Sequence, residues 1–205
     1  MTDSKLKQSF LIKKYIMPTS NPEHIIDMTK RLVESDKRTQ IRLTAHGGNS
    51  LLIVCDPQEE ASFIAAIKSK MESDTYAIIN LNDLIIQYIE SEKQTIEELF
   101  DLLKGSIPQI FKAPSGDSYP DLFRFIIEQI KEAFSQNKIP VLIRSGALFG
   151  SGIDNIHIIE DEVVMKSHIP LVILYPATYE GKELMFLSKR PASNYRCMIV
   201  NEKNN

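Results

Sequence analysis

The sequence predicts an α/β fold, a three-layer sandwich built on a mainly parallel sheet and ending in an antiparallel C-terminal meander. Three observations carry this expectation. Short apolar runs at 51–55, 76–80, 139–143 and 171–174 are too continuous for half-exposed strands and fit strands covered on both faces. Stretches with helical spacing separate the first three runs, and strand–helix alternation argues for parallel pairing. From Pro170 to Val200, three strand-like segments follow one another with no room for crossover helices, so antiparallel pairs must occur there.

Taken in order, Phe10, Leu11, Tyr15 and Ile16 can form one apolar side of a helix ended by Met17-Pro18. Asn21-Pro22-Glu23 starts a second helix, with Asn21 as N-cap and an apolar stripe from Ile25 to Val33. The N-terminal segment, about residues 1–40, is therefore helical, within a single domain spanning 1–205. Ile41 to Thr44 reads as a short alternating strand, and Ala45-His46-Gly47-Gly48-Asn49 as a turn. Leu51 to Cys55 ends in Asp56-Pro57-Gln58-Glu59. An acid after four aliphatics resembles a Walker B strand, but no Walker A lysine exists, and Asp56, Pro57 and Glu59 fit a helix cap better.

The helix from Pro57 presents Phe63, Ile64, Ile67 and Met71. After the run Tyr76 to Asn80, Asn82 is placed to cap the next helix, and Thr95 with Glu98 matches a capping box for the one after it. Gly105 to Pro120 reads as a surface excursion, with Ser118 capping a helix that carries Leu122, Ile126 and Ile130. Ile139 to Ile143 is a further buried strand. The loop behind it, Arg144-Ser145-Gly146-Ala147-Leu148-Phe149-Gly150-Ser151-Gly152, sits where α/β proteins usually place ligands. It only partly matches GxGxxG, with Asn155 at the last glycine position. A structural turn is the simpler reading. Between Ile153 and Ser167, the group His157, Glu160, Asp161 and Glu162 lacks a second histidine at helical spacing and reads as a solvated acidic face rather than a metal site.

The closing stretch runs Pro170-Leu171-Val172, then Tyr175-Pro176, Tyr179, Gly181, Leu184 and Phe186, then Asn194-Tyr195-Arg196 before an apolar strand. This pattern resembles the end of the BrxB family, small components of BREX bacteriophage-defence systems long catalogued as a domain of unknown function. One position departs: the family's Pro-Gly is Pro176-Ala177 here. The resemblance implies a noncatalytic interaction or scaffold role beside other BREX proteins, with a PglZ-like member of the alkaline-phosphatase superfamily as natural partner. The core would then be a degenerate P-loop-like or Rossmann-like sandwich. Tyr175, Tyr179, Tyr195 and Arg196 are the partner-binding candidates, because tyrosine and arginine are common interface anchors.

No catalytic constellation is readable: the P-loop, the nucleophile elbow and HExxH are all absent. The reading therefore leans away from an enzyme and implies no cofactor and no metal. The alternative is a small-molecule or nucleotide-binding enzyme using a crevice near Asp56, Arg144, Ser145, Gly146 and Tyr175, which end three of the apolar strands. Hydrophobic content of 43% and charged content of 25% are those of an ordinary globular protein. A net charge of -3 gives no global field for nucleic acid, and the scattered Lys5, Lys7, Lys13 and Lys14 are a weak basis for one. Cys55 and Cys197 lie in apolar runs and read as reduced core thiols. No secretory core follows the N-terminus, and no run approaches the roughly 18–20 apolar residues that span a bilayer. The expectation is a cytoplasmic protein without membrane contact, for which a homodimer is also open.

Overall fold

The computed structural model describes residues 21–35, 38–103, 106–114, 120–192 and 195–201. The expectations placed on Phe10 to Ile16, the N-terminal lysines, Ser118 and Asn194 lie outside these residues. Seven strands form one mostly parallel sheet: β1 (Ser50–Cys55), β2 (Tyr76–Asn80), β3 (Ile139–Ile143), β4 (Leu171–Glu180), β5 (Glu183–Phe186), β6 (Arg190–Pro191) and β7 (Met198–Val200). The main path runs β2-β3-β4-β1-β7, all parallel, while β5 and β6 pair antiparallel beside the far half of β4.

Helices cover both faces because the strands are apolar on both. Leu51, Ile53 and Cys55 of β1, with Val141, Ile143, Val172 and Leu174, face α1 (Pro22–Glu34) and α3 (Glu60–Met71) through Ile25, Ile26, Phe63 and Ile67. The alternate residues Leu52, Val54, Leu142, Leu171, Ile173 and Tyr175 face the other way. There they meet α4 (Leu81–Ser91), α7 (Leu122–Ser135), α8 (Asn155–Ile159) and α9 (Glu162–Lys166). Between these lie α2 (Arg38–Thr44), α5 (Lys93–Leu102) and α6 (Ile107–Phe111). The chain leaves β1 for β2 at the far edge through α3 and returns strand by strand through helices on the opposite face. Reversal of travel with reversal of face is what right-handed crossovers require.

Several local expectations are corrected. Ile41 to Thr44 is helical: Ile41 and Ala45, four apart, are fully buried while Leu43 is 79% exposed, which a strand would not produce. Asp56 does not cap α3, which starts later, at Glu60. Its carboxylate accepts the Gln58 N–H at 2.8 Å and holds a separate turn. Asn80, not Asn82, caps α4, accepting the Asn82 N–H at 3.1 Å. α5 begins at Lys93 rather than Thr95, whose hydroxyl donates back to Glu92. Asp121 caps α7 through the Arg124 N–H at 2.7 Å.

The C-terminal meander is also shorter than expected. Pro176 does not stop β4: it sits opposite Cys55, the last residue of β1, and the strand continues to Glu180 beside β5. A proline is tolerated there because the strand is changing partners. After β6 the chain turns away, and β7 joins the far edge of β1 in parallel, Leu51 opposite Met198 and Ile53 opposite Val200. Gly48 makes this return possible. A Cβ on it would lie 1.8 Å from the Arg196 carbonyl oxygen, so only glycine lets the two backbones pass.

Candidate functional site

The carboxyl ends of β1 to β4 open onto a crevice of about 500 Å³, lined by Glu60, Asn82, Arg144, Gly146, Ala147 and Leu187. Arg144, the first residue after β3, turns the chain with φ of 61°, in the left-handed region that few non-glycine residues adopt. A 3-10 turn, Ser145–Leu148, follows it. The Arg144 guanidinium reaches back to Glu60 at the start of α3, with Nη1 to Oε2 at 2.9 Å. Ser145 is fully buried and its hydroxyl donates to the Leu174 carbonyl at 2.7 Å, tying the ends of β3 and β4 together. Of the five residues predicted for this crevice, Arg144 and Gly146 line it. Asp56, Ser145 and Tyr175 stand outside the lining.

The protein's own hairpin enters the crevice. Leu187 and Ser188, between β5 and β6, both have positive φ, 52° and 55°. Each left-handed L-residue costs about 1–2 kcal/mol, so the surroundings must hold the turn. The Leu187 N–H donates to the Pro176 carbonyl at 2.9 Å, and Lys189 N–H to the Phe186 carbonyl at 3.0 Å. Thr178 Oγ1 donates to Ser188 Oγ at 3.0 Å. The Leu187 side chain then rests on Gly146, 3.1 Å from where a Cβ would stand. Arg190 of β6 pairs with Asp154 ahead of α8 and anchors the hairpin to the body. Leu187 thus forms one wall of the crevice, and the guanidinium that lines it is paired with Glu60.

The other side of the hairpin forms a second cleft, of about 640 Å³. Tyr179 and Tyr195 are its aromatic walls, Leu184 and Ile199 add aliphatic surface, and His46, Lys182 and Glu183 supply charge and polarity. Tyr175 stands behind it, fully buried and stacked on Phe186 with ring centroids 4.8 Å apart. Its hydroxyl shares a 2.9 Å hydrogen bond with that of Tyr195. Burial, reinforced by this bond, pushes the Tyr175 phenol above its usual range. Tyr175 thus has no surface for a partner and acts by positioning Tyr195. Tyr179 is 39% exposed and its hydroxyl accepts from Asn201 Nδ2 at 3.1 Å. Arg196 extends toward Glu160, Nε to Oε1 at 3.5 Å, with half its side chain in solvent. The four predicted partner residues therefore gather at this cleft in unequal roles, two as walls, one as support and one beside it.

Cys197 also lines the cleft, and burial holds its thiol up at about 12. Cys55 is buried and its thiol is raised further, by desolvation and then by Glu60. Neither is poised as a nucleophile near neutral pH. His157 Nδ1 accepts the Asp154 N–H at 3.0 Å, and burial, then Lys112, depresses its pKa. Among the described residues no group of three histidine, cysteine or acidic side chains is placed to hold a metal ion, and no helix is long and apolar enough to cross a membrane.

Glycine-free turn chemistry hid Leu187 from sequence reading, and Glu60 and Asn82 gave no motif. The chain matches no protein-family model, no curated protein and no solved structure.

Proposed function

We propose that this protein is a noncatalytic interaction component of a BREX-type bacteriophage-defence system, working in the cytoplasm, with a PglZ-like alkaline-phosphatase-superfamily protein as its partner. The partner enters only through the BrxB-like residues of the closing stretch. One observation supports the noncatalytic part: Leu187 of the chain's own hairpin, resting on Gly146, walls the crevice where an α/β protein would bind a nucleotide. Arg144, the cation that lines the crevice, is paired with Glu60, and the Ser145 hydroxyl behind it is engaged by the Leu174 carbonyl. The same hairpin builds the tyrosine-walled cleft, a surface with the composition of an interface anchor. Tyr179 is an accessible wall of the cleft, and Arg196 stands beside it with half its side chain in solvent.

The test is co-expression with a PglZ-like protein and the mass of the purified species by light scattering. A stable complex at concentrations of about 10 μM, weakened at least tenfold by Tyr179→Ala or Arg196→Ala, is the expected outcome. Separate species, or a homodimer untouched by either substitution, would sink the proposal. A second reading, an enzyme acting on a small molecule or nucleotide in the crevice, is favoured by its place at the strand ends beside Arg144. It requires saturable thermal stabilisation by a phosphate ester with Mg²⁺ that disappears in Arg144→Ala.

A further inference from the structure

The β2 edge of the sheet is left open by its sequence. β2 ends the strand path, and its residues, Tyr76-Ala77-Ile78-Ile79-Asn80, hold no charge, no proline and no bulge against β3. β6 and β7, which also end runs of pairing, are guarded in the usual ways. β7 is three residues long, and β6 is only Arg190 and Pro191. Register decides which groups β2 shows outward. The Ile139 N–H donates to the Thr75 carbonyl at 2.9 Å, with Tyr76 opposite Ile139. Alternate residues of a parallel strand turn their N–H and C=O to the same neighbour. Ala77 and Ile79 therefore also serve β3, while Tyr76, Ile78 and Asn80 turn away. The Tyr76 N–H agrees, since the Ser73 carbonyl of the preceding turn takes it at 3.2 Å. Ile78, at the centre of the strand, is half-buried and has no such partner among the described residues. Its outward N–H and C=O select another strand.

The flanking helix indicates whose strand fits. α3 packs over β2 and β4, while α1 packs over β1 and β7. Lys70 of α3 turns toward α1, with Nζ 2.7 Å from Asp27 and 3.6 Å from Glu23. Helical spacing puts Ala61, Ala65 and Lys68 on the opposite flank, beside the β2 edge, and all three are exposed. Lys68 is the only charge that α3 places there. α3 is about 18 Å long, β2 is about 17 Å, and a short turn joins them, so Ala65 stands level with Ile78. A two-fold axis at Ile78 sets Ala65 against Ala65 of a second copy, with the two Lys68 side chains on opposite sides of the axis. Like charges do not meet, and nothing bulky keeps the helices apart.

We propose that two copies of this chain pair through β2, antiparallel, about a two-fold axis at Ile78. The two Ile78 residues exchange both N–H···O=C bonds, as the hydrogen-bonded pairs of an antiparallel ladder do. Ala77 of one copy lies opposite Ile79 of the other, small against large, and the two sheets become one. The tyrosine-walled cleft lies on the hairpin beyond β4 and stays free, so the pairing does not rest on the defence-system reading. Each copy can carry a partner there, and the co-expression test above still turns on whether that partner is present.

The experiment is sedimentation equilibrium of the purified full chain, with Ile78→Pro and Ala65→Glu as test variants and Leu43→Glu and Tyr179→Ala as controls. Across about 1 to 200 μM, the chain is expected to shift from the monomer mass to twice that mass, with a Kd of roughly 10 μM. Ile78→Pro removes an outward N–H that β3 does not use, at an edge position where proline is tolerated, and should weaken pairing at least tenfold. Ala65→Glu sets like charges across the axis and should also weaken it at least tenfold. Its site is exposed, so it decides the matter alone if circular dichroism shows that Ile78→Pro does not fold. Leu43, 79% exposed on α2, and Tyr179 of the cleft lie away from β2, and their variants should keep the wild-type Kd. A chain that remains monomeric at about 200 μM would overturn the proposal, as would a dimer that Ala65→Glu or a folded Ile78→Pro leaves intact. So would a dimer lost in Leu43→Glu or Tyr179→Ala, because the interface would then lie on α2 or at the cleft.

Discussion

Gly48→Ala tests how the C-terminal strand is seated, and its size follows from two distances. A Cβ at residue 48 would stand 1.8 Å from the Arg196 carbonyl oxygen and 2.6 Å from its carbon. Both are backbone atoms, so no rotamer can relieve the overlap. Gly48 is itself tied to Ala45 by its N–H, at 2.9 Å, and the chain after Arg196 is locked in register with β1. The cheapest response is to pull β7 off β1. That exposes Val200, now 2% accessible, together with parts of Met198 and Ile199. Burying one aliphatic side chain is worth about 1.5–3 kcal/mol, and overpacking typically costs 1–3 kcal/mol, so a loss of about 3 kcal/mol is expected. In a chain of this length, that lowers Tm by roughly 6–12 °C. Gly47→Ala is the internal control. Its φ is +89° but nothing lies within 4 Å of the added Cβ, so only backbone strain of about 1 kcal/mol applies, or roughly 2–4 °C. Thermal unfolding of the two variants side by side decides the matter. If Gly48→Ala melts with or above Gly47→Ala, β7 does not run beside Gly48, and the cleft wall built from Tyr195 to Ile199 is misplaced.

Other expectations follow from buried groups. Tyr175→Phe keeps the ring stacked on Phe186 but deletes the bond to Tyr195, and should cost about 1 kcal/mol, a Tm loss of roughly 2–4 °C in calorimetry. A shift beyond about 8 °C would show that the hydroxyl holds more than one contact. Both thiols have folded pKa values above the unfolded value of 9.0. Their contribution is complete below pH 9 and is lost as pH rises beyond it, where the unfolded chain alone releases protons. Stability should fall by up to about 1.4 kcal/mol per pH unit per thiol, read by urea titration between pH 8 and 11, and a flat profile would contradict it. His157 runs the opposite way. Its folded pKa is depressed below 6.5, so its contribution is present above that value and is lost as pH falls through it. Replacing His157 with Gln should flatten the acid side of the stability profile. An unchanged acid limb would mean that the imidazole protonates freely in the fold.

Strands were legible wherever burial was two-sided. The runs at 51–55 and 139–143 are apolar at every position because α-helices cover both faces, and the residues on either face separate cleanly into the two cores. Ile41 to Thr44 misled because four alternating residues fit either period, and only the distant packing that buries Ile41 and Ala45 chooses the helix. Capping signals were right in kind and displaced in position. Asp56, Asn82 and Thr95 each sit within a few residues of the true helix start, since an Asx or hydroxyl side chain can serve a turn as readily as a cap.

The site was legible in part for the same physical reason. Tyr175, Tyr179 and Tyr195 are large and amphipathic, and they announce themselves wherever they lie. Their division into support and walls depends on which strand face each occupies, and that changed when β4 continued past Pro176. Gly146 was visible as a place for close approach, but what approaches is Leu187, held by a turn of two non-glycine residues with positive φ. Sequence rules reserve that geometry for glycine and asparagine, so the hairpin's entry into the crevice left no signal. The consequence is functional. A strained leucine turn persists because backbone hydrogen bonds to Pro176, Met185 and Phe186 hold it, so the shape of the crevice wall depends on them. A ligand of the crevice would pack against Leu187, and a partner at the tyrosine cleft would bind the other side of the same hairpin. Occupancy of the two sites is therefore expected to be coupled through the hairpin they share, by the same factor in both directions.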